Sequence, residues 1–160
     1  MIKKEDIPYL ERCLELAEEA VNAGDEAFGS VLVNAKGEVL AEARNRVHEK
    51  NRLAHPEYEL ALWAADHLSE DQRADTTLYT TGEHCPMCAA AHGWVGLGAI
   101  VYLSSGQQFS EWLKEFGVER GGNVRLLPIK EILPEIEVRG PGEGKLLSHI
   151  KALHKRCFIK

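Results

Sequence analysis

The stretch TTGEHCPMCAA, residues 80–90, sits where one kind of structure gives way to another. Before it runs DTTLYTT (75–81), short and rich in residues that favour strands. After it runs CPMCAAAHGWVG, a helix pattern that starts at Pro86, where a proline's missing N–H costs nothing. Cys85 and Cys88 therefore stand at the mouth of a helix. Four cysteines in 160 residues are too few for a disulfide framework, so this close pair points to metal or redox chemistry, with Cys13 and Cys157 as bystanders.

A second helix start upstream has the same form. HPEYELALWAADHL (55–68) begins with His55 and carries Pro56 at its first position, and Leu60, Trp63, Ala64 and His67 fall along one face. If the two N-termini face each other, His55, Cys85 and Cys88 supply one imidazole and two thiolates. That set suits zinc, which with three protein ligands keeps a fourth position for water. Helix N-termini also favour the thiolate form. Glu57 is not needed as a ligand and is placed for general acid and base work. A structural zinc would instead need a fourth protein ligand, for which His84 and His92 are nearest in sequence.

Working outward, Leu10, Leu14, Ala17 and Val21 predict an amphipathic helix over 7–23, ended by Gly24. FGSVLVNAKGEVLAEARNRV (28–47) predicts two strands joined by a turn at 34–37, with Val and Leu alternating between faces. GAIVYLS (98–104) predicts a buried strand, EWLKEF (111–116) a short helix, and VRLLPI (124–129) a further strand. The closing helix lies within 143–160, after the loop RGPGEG (139–144). Helix, hairpin, then alternating strands and helices predict one three-layer α/β/α domain over 1–160 with a mixed sheet.

Composition narrows the function. A net charge of −6 argues against a general nucleic-acid binder, although residues 143–160 carry five Lys or Arg against one acid. No apolar run approaches the length of a membrane span, and the first residues, MIKKEDIPYLERCLE, lack the apolar core of a signal peptide. The expectation is a soluble, cytoplasmic protein.

The pattern His55-x-Glu57 followed by Cys85-x-x-Cys88 resembles the signature of the cytidine-deaminase-like zinc deaminases, and the order of elements matches that fold along nearly the whole chain. The resemblance implies a five-stranded sheet between helices, a Zn2+ cofactor on His55, Cys85 and Cys88, and Glu57 as the proton shuttle. TTLYTTGEHCPMCAAA is closest to the guanine, cytosine and tRNA adenosine deaminase branches, which implies a homodimer acting on a small nucleobase or nucleoside, first of all guanine. It also implies that Asn45 and Phe28, within EARNRV and FGS, contact the base. Read without it, Asn45 is a turn former that bonds its own backbone. His84 stands where relatives have Pro, and Pro56 where they have a small residue, so His84 is a candidate for reaching substrate or competing with His55. Glu115 and Glu119 follow the fourth strand, where some relatives place a second acid.

Rival readings are a cytosine or nucleoside deaminase, a tRNA adenosine deaminase whose basic last helix grips RNA, and a noncatalytic zinc-stabilised subunit. Among the remaining polar and aromatic residues, Trp63 and His67 are expected at core and edge positions, and Trp94 in the core or a subunit interface. Glu83 is expected either to brace the site or to lie on the surface, and His149 and His154 to face solvent.

Overall fold

A computed structural model describes residues 1–159; Lys160, the last cation of the basic tail, lies outside the described residues. After a 3-10 turn at Lys4–Asp6 come α1 (Ile7–Asn22), β1 (Gly29–Val33), β2 (Val39–Arg44) and α2 (Pro56–His67). These lead into α3 (Glu70–Ala74), β3 (Thr77–Gly82), α4 (Pro86–Val95) and β4 (Ala99–Ser104). The chain ends with α5 (Gly106–Glu115), α6 (Ile129–Ile132), β5 (Val138–Arg139) and α7 (Gly144–Phe158). The sheet order is β2-β1-β3-β4-β5. β1 is antiparallel to β2 and β3, and β4 is parallel to β3 and β5, so the sheet is mixed.

Helices cover both faces of this sheet. On one, Leu10, Leu14 and Ala17 of α1 and Ile150 and Leu153 of α7 pack against Val31, Val33, Tyr79, Val101 and Leu103. On the other, Leu60, Ala61 and Ala64 of α2 pack against Leu32 and Leu78, and Ala89 of α4 against Ile100. The alternation in β1 therefore sorts Val and Leu to two different layers, and all five of its residues are buried. Gly29 is required at its start: a Cβ there would lie 2.6 Å from that of Leu16 and 2.7 Å from the Ala17 nitrogen. α1 can cross the strand that closely only over glycine.

Two expectations are corrected and a third is narrowed. VRLLPI forms no strand; the fifth strand is Val138–Arg139, and only Ile129 of that run is buried, at the start of α6. His154 does not face solvent but is fully buried, with its ring 4.6 Å from Phe109, 5.1 Å from Phe28 and 6.1 Å from Trp112, while His149 is exposed as expected. A spacing of five on a helix separates the two by well over a quarter turn, so they need not share a face. Trp94 is 90% exposed and thus not in the core of the chain, whereas Trp63 is half-buried and stacks on exposed His67 at 4.6 Å.

The chain's beginning is tied to its last strand by a buried carboxylate. Asp6 accepts bonds from Arg139 Nη2 at 2.7 Å and Nε at 3.1 Å, from the Tyr79 hydroxyl at 2.9 Å, and from the Lys3 N–H at 2.7 Å. Burial pushes this carboxyl up, but the bonds from Arg139, Lys3 and Tyr79 outweigh it and hold it below its ordinary value. Asp6→Ala would leave the Arg139 guanidinium without its main partner and is expected to destabilise the fold by about 3–5 kcal/mol in urea unfolding. The unfolded chain takes up this proton near 3.8 and the folded chain only at lower pH. The contribution is therefore full above that value and lost as the pH falls through and below it, and Asp6→Asn should flatten the wild-type slope of stability against pH there.

Candidate active site

Two X-Pro steps build the site. His55 and Cys85 are the N-caps of α2 and α4, each followed by proline at the first helical position. Proline forces the preceding residue into extended backbone, and both caps obey, with ψ of 141° and 165°. Neither cap side chain forms a conventional capping hydrogen bond. Because α2 and α4 lie on one face of the sheet, the two side chains meet instead.

His55 Nδ1 lies 3.5 Å from Cys85 Sγ and 3.6 Å from Cys88 Sγ, and the sulfurs are 3.6 Å apart. A tetrahedral zinc with bonds of about 2.0 Å to nitrogen and 2.3 Å to sulfur separates such ligand pairs by about 3.6 and 3.8 Å. The triangle thus matches one face of that tetrahedron. Among the described residues this is the one group of three or more His, Cys, Asp and Glu donors close enough to share an ion. His84 and His92 do not join it. They are buried together, edge to face at 5.3 Å, and burial drives both imidazoles to lower pKa values, about 4 for His92. His92 Nε2 bonds the Gly98 carbonyl at 2.8 Å.

The donors' proton affinities fit a metal. Cys85 is held down to about 4, first by the Cys88 thiol beside it and then, against burial, by His55. Cys88 is pushed up, first by Cys85 and then by burial. The pair thus holds one proton between them, which a cation would displace. Glu57, in the first turn of α2, is 5% exposed; burial raises its carboxyl, and a 2.7 Å bond from the Thr80 hydroxyl opposes that rise.

Asn45 follows β2, is 2% exposed, donates its N–H to the Phe28 carbonyl at 2.9 Å, and accepts the Val47 N–H on Oδ1 at 3.1 Å. The turn-forming reading of Asn45 is therefore realised by its oxygen, and no side-chain bond engages its amide nitrogen among the described residues. The Phe28 ring lies against Gly82, where a Cβ would come within 2.9 Å of it. Glu115 is exposed and pairs with Lys151 at 2.8 Å, and Glu119 is exposed beyond the end of α5. In the basic tail, Arg156 likewise pairs with Glu18 at 3.1 Å, so two of its cations are engaged by acids of the body.

The hydroxyls of Thr80 and Ser30 and the guanidinium of Arg120 were not singled out from sequence. Thr80 and Ser30 face the α2 layer at positions that alternation assigns to the same side as Leu78 and Leu32; a hydroxyl in a buried strand was the available signal. Glu83 braces the framework rather than the ligands: its oxygens accept the first N–H of α5 (Gly106, 2.9 Å) and of α6 (Ile129, 2.8 Å). Arg120 pairs with Glu26 at 2.7 Å and lies over Phe109 and Phe158.

Residues 3–104 match the family model described as the cytidine and deoxycytidylate deaminase zinc-binding region. The guanine deaminase of Bacillus subtilis is 39% identical over 98 residues, 60% of this chain and 62% of that enzyme, so the match spans less than two thirds of the relative's length. A probable cytosine deaminase of Schizosaccharomyces pombe is 25% identical over 118 residues, 72% of this chain and 70% of its own. The fold is shared with a solved guanine deaminase from Nitrosomonas europaea, with a TM-score of 0.69, 23% identity, and coverage of 98% of this chain and 85% of that one. Purified protein is expected to carry about one zinc per chain by elemental analysis. His55→Ala or Cys88→Ser should lower that content while the circular dichroism of the sheet and helices persists, since neither residue's side chain carries the main cores.

Proposed function

This chain belongs to the cytidine and deoxycytidylate deaminase zinc-binding family, and on that premise we propose that it is a hydrolytic deaminase of an amino-substituted nucleobase, with guanine as first substrate. The observation that carries the reading is the buried carboxylate of Glu57, two residues along α2 from His55, beside a cluster of three donors rather than four. A structural zinc has no use for such an acid. The resemblance in sequence to the Bacillus subtilis guanine deaminase supports guanine, and the fungal relative makes cytosine the nearest rival.

Zinc held by His55, Cys85 and Cys88 supplies the Lewis acidity that makes water a nucleophile at neutral pH. Glu57 takes one proton from the attacking water and delivers it to the ring nitrogen, then takes the remaining hydroxyl proton and delivers it to the departing amine. The C–N bond breaks, a carbonyl replaces the amine, and ammonia leaves. Asn45 offers its amide N–H to an acceptor on the base, and Phe28 walls the ring. A homodimer belongs to the same reading, supported by two large apolar side chains exposed on the helices of this face, Leu62 on α2 and Trp94 on α4. No helix among the described residues is long and apolar enough to cross a membrane.

Glu57→Gln is expected to cut ammonia release from guanine by about 10²-fold or more while zinc content is unchanged; turnover at the wild-type rate would sink the mechanism. Trp94→Glu is expected to shift the sedimentation of the protein from dimer to monomer.

A further inference from the structure

Two buried hydroxyls stand in line behind the reacting carboxylate. Ser30 Oγ lies 2.8 Å from Thr80 Oγ1, and Thr80 Oγ1 lies 2.7 Å from Glu57 Oε1. Ser30 and Thr80 are directly paired across β1 and β3, and both are fully buried. Their positions are set by the sheet register and cannot drift independently of it.

Each hydroxyl has a single proton, and counting these protons fixes the direction of the line. Thr80 can give its proton to Glu57 or to Ser30, but not to both. If it donates to Glu57, it accepts from Ser30, and every proton in the line has an acceptor. If Glu57 carried its proton on Oε1 and donated to Thr80, then Thr80 would donate to Ser30. Ser30's own O–H would then be buried with no acceptor, because Thr80 is its one side-chain partner among the described residues. Leaving a buried donor unpaired costs more than the bond itself gains.

We infer that Ser30 and Thr80 form a one-way hydrogen-bond line that keeps Oε1 of Glu57 an acceptor and confines the shuttled proton to Oε2. Ser30 and Thr80 are thus positioning residues, acting through the carboxylate without touching substrate. Two consequences follow for the proposed reaction, on which this inference rests. The carboxylate is held in one rotation throughout turnover, and the oxygen that takes up the proton is the same one that gives it away. The reaction then needs no carboxylate flip between its two proton transfers.

The isosteric Thr80→Val variant removes the hydroxyl, Thr80→Ser keeps it, and Ser30→Ala removes the donor behind it. With guanine as substrate, Thr80→Val is expected to lower kcat about 10- to 100-fold with KM nearly unchanged, Thr80→Ser to restore most of it, and Ser30→Ala to fall between. Crystal structures supply a second readout that does not depend on turnover: the Glu57 carboxylate should rotate away from position 80 in Thr80→Val and stay in Thr80→Ser. Zinc content and melting temperature of each variant separate these effects from misfolding. An unmoved carboxylate in Thr80→Val, or a serine variant as slow as the valine one, overturns the inference. Wild-type protein that releases no ammonia from guanine or any other base overturns the deaminase reading instead, and the crystal structures then decide the line by themselves.

Discussion

The side-by-side packing of α2 and α4 on one face of the sheet is the constraint from which the rest follows. Each helix begins with a proline, and each proline turns the residue before it outward into extended backbone. Because the helices are neighbours, His55 and Cys85 are turned toward one another, and Cys88 joins them from the first turn of α4. A cap that would ordinarily satisfy its own helix is spent on the other helix's ligand. The positive ends of both helices add a field that favours the thiolates the site needs.

Placing a carboxylate next to this cluster sets two demands against each other. Glu57 must be dry enough that its proton affinity rises toward that of a base, yet fixed enough to face one direction. Burial behind α2 meets the first demand, and the Thr80 hydroxyl meets the second while pulling the affinity partly back. The sheet register is therefore part of the chemistry. A slip of one residue between β1 and β3 would put Ser30 and Thr80 on opposite faces of the sheet and break the line behind the carboxylate.

Much of this was legible in the sequence, and the reasons are local. Proline at a first helical turn, an HxE and a CxxC are short-range signals, and they anticipated both helix starts and the meeting of His55, Cys85 and Cys88. Alternation in 28–47 gave the hairpin. What stayed hidden depended on partners far along the chain. VRLLPI has the composition of a strand, yet the edge beside β4 is taken by Val138–Arg139, whose arginine is anchored by Asp6, and no local pattern announces that. His154 looked like one more polar residue on a basic helix because the aromatic rings that enclose it come from α5 and from the loop before β1. Nor could spacing show that the two hydroxyls behind Glu57 meet, since they lie fifty residues apart.

The Asp6–Arg139 clamp bears on how the chain is made as well as on how it is held. Its partners are separated by 133 residues, so during synthesis Asp6 emerges early and waits for nearly the whole polypeptide. Until Arg139 leaves the ribosome, a carboxylate destined for full burial has only Tyr79 and a backbone N–H to receive it. The first helix therefore gains its full anchorage on the sheet only once the last strand has been made.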